Sequence, residues 1–488
     1  MNIILGVRTM KKNRLFEYIG NRSCDILGLG VSNTPFAKQL AENGFSVTVR
    51  DKKSTEALGD DADALSRIGV DFVCGDGCFD ELSGDIIFRS PGIRPDKDGI
   101  QDAVRRGAEL TSEIELFLSL TDADTFAVTG SDGKTTTTTL TGMFLEAQCK
   151  KQKNSRVFVG GNIGEPLLDR LDDISRDDLA VLELSSFQLM TVKKAPKYAA
   201  ITNIAPNHLD WHKGMEEYIF AKSKIVGENT ERLVTNAECP LTRGMATELS
   251  KSEKRPNIFL FSSKAATAEE VFPFPMADTD RAILLRDGAI VISNGKEDIP
   301  LLDTSKIKVP GIHNIENFMT AIALTYGRVD ISVYTEVAES FLGVRHRLEL
   351  IRTLDGVDYY NSSIDSSPSR TAAALSALAG RDIVIICGGY DKNIPYAPLA
   401  EALCRHARAV VLTGATGKKI ERALLDCQSY KGTPEYVFTP DFEDAVKRAR
   451  ALAKAGGCVL LSPASASFDA FKNFAQRGDT FRKIVKDF

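Results

Sequence analysis

Thr125-Phe126-Ala127-Val128-Thr129-Gly130-Ser131-Asp132-Gly133-Lys134-Thr135-Thr136 is the stretch on which the reading of this chain turns. Apolar, β-prone residues lead into a polar loop bracketed by glycines, and Leu140, Met143, Phe144 and Leu145 follow at helical spacing. Strand, glycine loop and helix in that order predict a phosphate cradle. Glycines let backbone N–H groups turn inward, and the helix N-terminus adds positive potential. Lys134 would reach the β- and γ-phosphates of a nucleotide, and the Thr135 hydroxyl would bind Mg²⁺. The Gly-x-x-Gly-Lys-Thr spacing is shorter than the commoner form, so its context carries the reading; the plainer reading is a glycine turn before a Thr-rich helix. A second run, Gly414-Ala415-Thr416-Gly417-Lys418-Lys419, also follows a strand-like segment. Lys419 offers no hydroxyl to a metal, so that run reads as a helix start.

Outward from the loop, short β-rich runs alternate with helical stretches from residue 23 to the end, which argues for α/β domains with mostly parallel sheets. Strands are expected at Asp25–Leu27, Phe45–Val49, Asp85–Phe88, Val157–Val159, Leu179–Glu183, Tyr198–Asn203, Ile383–Cys387, Ala409–Leu412 and Cys458–Leu461. Arg281–Ser293 reads as a hairpin turning at Asp287-Gly288. The 488 residues exceed what one hydrophobic core holds, and three domains are expected: 1–119, 120–342 and 343–488. Gly28-Leu29-Gly30 with Asp51 invites a dinucleotide reading, but Asn33 stands at the third glycine position and leaves the fingerprint incomplete.

Composition narrows the class. A hydrophobic fraction of 43% and a charged fraction of 26% belong to a soluble globular protein. The formal charge of -5 gives no electrostatic reason to expect nucleic acid or an anionic membrane as partner. No run approaches the roughly 20 apolar residues of a membrane span. Ile3–Val7 is too short for a secretory signal core. The nine cysteines are scattered, and no second pair accompanies Cys74 and Cys78, so free thiols in a reducing cytoplasm are expected rather than zinc. The sequence is silent on oligomeric state, and a monomer is compatible with it.

Further clusters follow in order: Gly160-Gly161-Asn162-Ile163-Gly164, Glu183-Leu184-Ser185-Ser186-Phe187-Gln188-Leu189, Asn207-His208-Leu209-Asp210, Tyr218 to Lys222, and Gly311-Ile312-His313-Asn314-Ile315-Glu316-Asn317. Then come His346-Arg347-Leu348-Glu349, Gly388-Gly389-Tyr390-Asp391-Lys392, Leu461 to Asp469, Phe471-Lys472-Asn473-Phe474 and Arg477-Gly478-Asp479. Each is weak alone. As an ordered set they resemble the Mur ligase family over nearly the whole chain, and the last block is most similar to its D-glutamate-adding branch.

The resemblance implies a Rossmann-like UDP-sugar domain, a central P-loop ATPase domain and a Rossmann-like C-terminal domain for the incoming amino acid. It implies an ATP-dependent ligase that adds D-glutamate to UDP-N-acetylmuramoyl-L-alanine through an acyl phosphate, in cytoplasmic peptidoglycan precursor synthesis. ATP and two Mg²⁺ ions are the implied cofactors. Gly130, Ser131, Asp132, Gly133, Lys134, Thr135 and Thr136 would hold ATP, joined by Asn317 and Arg347. Thr135, Glu183, His208 and, if carbamylated, Lys222 would hold metal, and Lys134, His208 and Lys222 are the implied catalytic groups. Gly28, Gly30, Ser90, Pro91, Gly92 and Asn162 would meet the UDP-substrate; Lys392, Ser366, Ser467 and Phe474 would meet the amino acid. The chain departs from the family where Ser362 replaces an aspartate expected near the ATP ribose and Ile364 replaces a lysine. Two rivals stay open at this point: an amide ligase of the same architecture with another amino acid or a folate substrate, and a silent nucleotide-binding scaffold.

Overall fold

The computed structural model describes residues 13–30, 33–153, 155–209, 211–391 and 394–488; Ile3–Val7, Asp210 and Lys392 lie outside them. Among the described residues the strands form three sheets. The first holds β1 (Cys24–Leu27), β2 (Val47–Asp51), β3 (Asp71–Cys74), β4 (Ile86–Arg89) and β5 (Glu109–Thr111) in the order β3-β2-β1-β4-β5. Every pairing in it is parallel. The strand order reverses between β1 and β4, and α/β sheets open a crevice at the carboxyl ends of such strands. Gly28 and Ser90 follow those two ends: a Cβ on Gly28 would stand 3.3 Å from the Ser90 Cβ.

The second sheet holds β6 (Asp124–Thr129), β7 (Val157–Gly161), β8 (Leu179–Glu183), β9 (Tyr198–Ile201), β10 (Arg232–Asn236), β11 (Asn257–Ser262), β12 (Arg281–Arg286), β13 (Ala289–Ser293) and β14 (Asp298–Asp303). Their order is β14-β13-β12-β11-β10-β9-β6-β8-β7. Only the β12-β13-β14 edge is antiparallel. The expected hairpin forms there: Asp287 and Gly288 have φ of 48° and 75°, the pair of positive values a tight two-residue turn needs. The third sheet holds β15 (Glu349–Leu354), β16 (Val357–Asn361), β17 (Ile383–Gly388), β18 (Ala407–Thr413), β19 (Glu435–Phe438) and β20 (Cys458–Leu461), in the order β15-β16-β20-β17-β18-β19. All but the β15–β16 pairing are parallel. The α/β class with mostly parallel sheets is therefore as expected.

Packing divides the chain into two compact units, one running to Thr304 and taking in Glu316–Val337, the other made of Ser305–Ile315 and Ala338–Phe488. The first two sheets share a unit for a physical reason. The Glu113–Leu120 helix that joins them buries Ile114, Leu116, Phe117 and Leu118 in one continuous core with both sheets. Its carboxylates also clamp backbone on the far side: Glu113 accepts from the N–H groups of Leu167 and Leu168 at 3.1 and 3.2 Å, and Glu115 from that of Lys193 at 2.7 Å.

Inside the first sheet sits a buried ion pair. Asp25 accepts from Arg50 Nε at 2.8 Å and from the N–H groups of Ser83 and Gly84, while Arg50 donates to the Cys78 carbonyl. This fixes the connection that delivers β4 and the Ser90 loop. Removing one partner strands the other charge in the core, at about 3 kcal/mol or more. Asp25→Ala is accordingly expected to cost about 3 kcal/mol in urea unfolding of the full chain; a loss under about 1 kcal/mol would show the pair to be dispensable.

Candidate active site

Three neighbouring strand ends build the site. β6 is flanked by β8, with Val128 opposite Glu183, and by β9, with Thr129 opposite Ile201. The loop after β6 enters the Lys134–Gln152 helix through Gly133, at φ 78°. Gly130 has φ 147°, and a Cβ there would fall 1.8 Å from Thr202 Oγ1, so no larger residue fits. The loop is held from the β9 side: Asn203 Oδ1 accepts from the N–H groups of Ser131 and Asp132 at 3.1 and 2.9 Å. Ser131 Oγ donates to the Ala205 carbonyl, accepts from the Ala205 N–H, and lies 2.9 Å from the Tyr218 hydroxyl. Two of the expected phosphate-binding N–H groups are therefore taken by Asn203. The groups left to a phosphate are those at the start of the helix, whose N–H groups have no intrahelical partner. Thr202, Asn203 and Tyr218 were given no role by the sequence. The signal for Tyr218 was its placement one helical turn before Lys222.

Lys134 donates to the carbonyls of Gly130 and Ser131 at 2.9 and 3.0 Å. Lys222, in the Met215–Ser223 helix and 1% exposed, donates to the same Gly130 carbonyl at 2.7 Å and to Thr129 Oγ1 at 3.3 Å. Burial, with Lys134 close by, pushes its ammonium down to about 6, although Asp132 and Glu183 pull the other way. Glu183 ends β8. Its Oε1 accepts from Asn162 Nδ2 at 2.7 Å, and its buried Oε2 has no hydrogen-bond partner. Asn317 Oδ1 accepts from Thr137 Oγ1 at 3.2 Å and would stand 2.5 Å from a Cβ on Gly133. His208 lies on the loop after β9, exposed and at φ 53°, with its ring 5.0 Å from that of Phe187.

Among the described residues no group of three or more His, Cys, Asp or Glu side chains converges on one point. A soft-metal cage is thus not what these residues build. One carboxylate oxygen without a partner beside a phosphate loop does suit Mg²⁺, which takes one or two carboxylates and completes its shell with phosphate oxygens and water.

The first sheet reaches this site through two arginines that the sequence did not reveal, because their partners lie some hundred residues away. Arg89, 1% exposed, donates to the carbonyls of Pro91 and Ile93 at 3.0 and 2.6 Å, and to the Phe187 carbonyl at 2.6 Å. Arg94 pairs with Glu217 at 2.7 Å and with Asp96 at 2.8 Å. The Ser90-Pro91-Gly92 loop is thereby held against the segment that follows Glu183. Asp51, in contrast, has its carboxylate taken by the N–H groups of Leu29 and Lys53, both at 2.9 Å. It stabilises the Gly28-Leu29-Gly30 turn itself.

In the second unit, the loops after β16, β17 and β20 meet. Arg477, 2% exposed, donates to the carbonyls of Ser363, Ala466 and Ser465 at 2.9 to 3.0 Å, and the Tyr390 N–H donates to the Ala466 carbonyl. Ser366 is half-buried, Ser467 buried, and Phe474 is 40% exposed at the start of the Phe474–Lys486 helix. Arg347 belongs to this unit and follows His346, at φ 64°. The second glycine run opens the Gly417–Leu425 helix. Its Thr416 hydroxyl accepts from the Gly389 N–H, and Lys418 and Lys419 pair with Glu421 and Asp391.

A glycine loop whose lysine folds onto its carbonyls, a buried carboxylate oxygen without a partner and a buried lysine whose ammonium is pushed down by burial are the features a phosphate-handling site would use. Family comparisons agree. The model described as Mur ligase middle domain matches residues 128–325, and that described as Mur ligase, glutamate ligase domain matches 346–465. A UDP-N-acetylmuramoylalanine--D-glutamate ligase of Ruminiclostridium cellulolyticum is 41% identical over 97% of this chain and 99% of its own length. A protein of the same name from Acetivibrio thermocellus is 40% identical over 97% and 98%. Among solved structures, a UDP-N-acetylmuramate-alanine ligase from Thermotoga maritima superposes with a TM-score of 0.54 at 21% identity, covering 96% of this chain and 99% of that one. A UDP-N-acetylmuramoyl-L-alanyl-D-glutamate--2,6-diaminopimelate ligase also reaches 0.54, at 17% identity over 82% and 92%. The chain belongs to the Mur ligase family, whose members are ATP-dependent amide-bond-forming enzymes that use Mg²⁺.

Glu217 offers a test of the site's electrostatics. The Arg94 guanidinium holds its carboxyl at about 2, below the ordinary 4.5. A depressed carboxylate stabilises the fold in full above its unfolded value, and that contribution is lost as pH falls toward the folded one. Glu217→Gln should therefore lower Tm at pH 7, and its gap to wild type should close between pH 4.5 and about 2. A gap that stayed constant down the pH series would show that ionisation of Glu217 contributes nothing.

Proposed function

We propose that this chain adds D-glutamate to UDP-N-acetylmuramoyl-L-alanine at the expense of ATP, as a cytoplasmic step in peptidoglycan precursor synthesis. The observation that carries the reading is the meeting of Lys134 and Lys222 on the Gly130 carbonyl after β6, with the unpaired oxygen of Glu183 at the end of the neighbouring β8. The names of the near-full-length relatives supply the substrates. Among the described residues no helix is long and apolar enough to cross a membrane. The proposed division of labour is 1–119 for the UDP-sugar, 120–342 for ATP and 343–488 for the amino acid.

A carboxylate resists direct attack by an amine, so the acid must first be activated. An oxygen of the L-alanyl carboxylate attacks the γ-phosphorus, the bond to ADP breaks, and an acyl phosphate forms. The D-glutamate amine then attacks the acyl carbon, loses a proton, and inorganic phosphate leaves as the amide forms. Lys134 exchanges its carbonyl partners for phosphate oxygens, and the start of its helix supplies N–H donors to the same group. Gly28, Gly30, Ser90, Pro91, Gly92 and Asn162 are assigned to the UDP-substrate, Asn317 and Arg347 to ATP, and Lys392, Ser366, Ser467 and Phe474 to D-glutamate. Thr135, Glu183, His208 and carbamylated Lys222 would hold two Mg²⁺ ions, which neutralise charge accumulating on the transferring group. The low value of Lys222 is compatible with carbamylation. A buried neutral amine is the form that adds CO₂, giving a carbamate and releasing one proton, and its low value supports that form at neutral pH.

Two measurements test this. ADP release should be stimulated by D-glutamate only when UDP-N-acetylmuramoyl-L-alanine is present, and Lys134→Ala should lower it about a thousandfold with the fold intact. Turnover with another amino acid instead of D-glutamate would replace the substrate assignment, and normal turnover by Lys134→Ala would remove the phosphate-loop assignment. Protein grown with ¹³C-bicarbonate should show a carbamate carbonyl signal that Lys222→Arg lacks. A wild-type spectrum without it would leave Lys222 as a plain amine.

A further inference from the structure

Arg94 stands on the loop after β4, yet every strong contact beyond its own loop is to the second sheet's segments. Its Nη1 and Nη2 meet both oxygens of Glu217 at 3.1 and 2.7 Å, its Nε and Nη2 hold Asp96 at 2.8 and 3.0 Å, and it donates to the Trp211 carbonyl. Its guanidinium also lies 4.9 Å over the Trp211 ring. Glu217 passes the connection on: Oε2 accepts from the Lys213 N–H at 2.9 Å and from His212 Nδ1 at 3.2 Å. With Nδ1 donating, His212 Nε2 accepts from the Ser186 hydroxyl at 2.9 Å. His212 and Ser186 are each 3% exposed. Trp211 Nε1 closes the circuit on the Gly92 carbonyl at 3.1 Å.

Each link stops beside a group proposed for chemistry. Glu217 shares the Met215–Ser223 helix with Lys222. Ser186 follows Glu183 by three residues and opens the Ser186–Leu189 helix. Trp211 and His212 donate their N–H groups to the His208 carbonyl at 3.1 and 3.0 Å. Gly92 lies in the loop proposed for the UDP-sugar. A Glu–His–Ser chain of this geometry looks like a nucleophilic triad, but its serine is 3% exposed and sealed away from any substrate.

We propose that Arg94, Glu217 and His212 form a positioning relay that sets the UDP-sugar loop and the Glu183, His208 and Lys222 segments in one geometry, so that the two ends of the bound substrate are aligned together. The inference rests on the function proposed above. None of the three touches a reacting atom. They act by fixing the segments that do, and the bidentate Arg94–Glu217 pairing makes the relay directional, which a lysine's single ammonium cannot reproduce.

The test uses the full-length enzyme with ATP, UDP-N-acetylmuramoyl-L-alanine and D-glutamate. Arg94→Ala should lower kcat about tenfold to a hundredfold and raise KM for the UDP-substrate, because a misplacement of about 1 Å is felt that strongly. KM for D-glutamate should stay at the wild-type value, a split that general destabilisation would not give. Arg94→Lys should recover only part of kcat. Combining Arg94→Ala with Glu217→Gln should cost no more than the worse single change, since both break one link. Unchanged kcat and KM in a folded Arg94→Ala enzyme would overturn the relay, as would fully additive losses in the double variant. If Arg94→Ala does not fold, Glu217→Gln carries the same KM and kcat comparison. Wild-type enzyme that releases no ADP from these substrates would instead remove the function on which the relay rests, and so the relay with it.

Discussion

One carbonyl oxygen, that of Gly130, accepts from two lysines at once, Lys134 at 2.9 Å and Lys222 at 2.7 Å. Two ammonium groups at a single buried oxygen repel, and desolvation penalises whichever lies deeper. The tension resolves on Lys222, which burial and its neighbour drive toward the neutral amine. Lys134 spends its ammonium on the Gly130 and Ser131 carbonyls, partners that an arriving phosphate would replace. The loop backbone tolerates this crowding because Gly130 leaves no Cβ to strike Thr202 and because Asn203 pins the next two N–H groups. Lys222 is thereby held to the loop by its bonds to the Gly130 carbonyl and the Thr129 hydroxyl, which tie the Met215–Ser223 helix to it.

That dependence explains why so much of the first sheet is spent on holding the second. Arg89 is buried without a carboxylate and gives its hydrogens to carbonyls on both sides of the boundary between sheets. Burial lowers its value to about 10, which still leaves it charged at neutral pH. Keeping such a group costs stability that an apolar residue would not. What it supplies is direction, since planar donors fix the angle between the Ser90 loop and the Phe187 segment. With Glu113 and Glu115 clamping backbone on the other side, the first two sheets behave as one body in packing terms.

The sequence disclosed what is local. β6, its loop and its helix were legible because apolar run, glycines and helical periodicity are contiguous, and the Asp287-Gly288 hairpin because its turn chemistry is two residues long. Short or edge strands such as Asp71–Cys74, Glu109–Thr111 and Glu435–Phe438 escaped, since three or four half-exposed residues carry no periodic signal. Arg94, Glu217 and His212 escaped for another reason. Each reads alone as an ordinary surface or core residue, and only the fold brings residues 123 apart into a bidentate pair. Asn162 was legible as part of a glycine-rich cluster, and only the fold reveals its bond to the Glu183 carboxylate.

The departures at Ser362 and Ile364 bear on the same distinction between residue type and structural position. Ser362 Oγ accepts from the Leu348 N–H at 3.1 Å, and the Ile364 N–H donates to the His346 carbonyl at 3.1 Å, so this loop brackets Arg347 from both sides. His346 and Leu348 both have left-handed backbone, at φ 64° and 42°, a conformation that costs about 1 kcal/mol or more for such residues unless surroundings enforce it. They are enforced here. The His346 N–H donates to Glu349, Asn361 Nδ2 donates to His346 Nδ1, and a Cβ on Gly478 would stand 2.2 Å from that nitrogen. Three residues on, the buried Asp365 accepts from Ser462 Oγ at 2.9 Å, and burial raises its carboxyl above the usual range even though Ser362, Ser462 and Arg347 pull it down. The Ser362 hydroxyl thus fixes the backbone on either side of Arg347 together with the Ile364 N–H, and Asp365 supplies a buried carboxylate on the same loop.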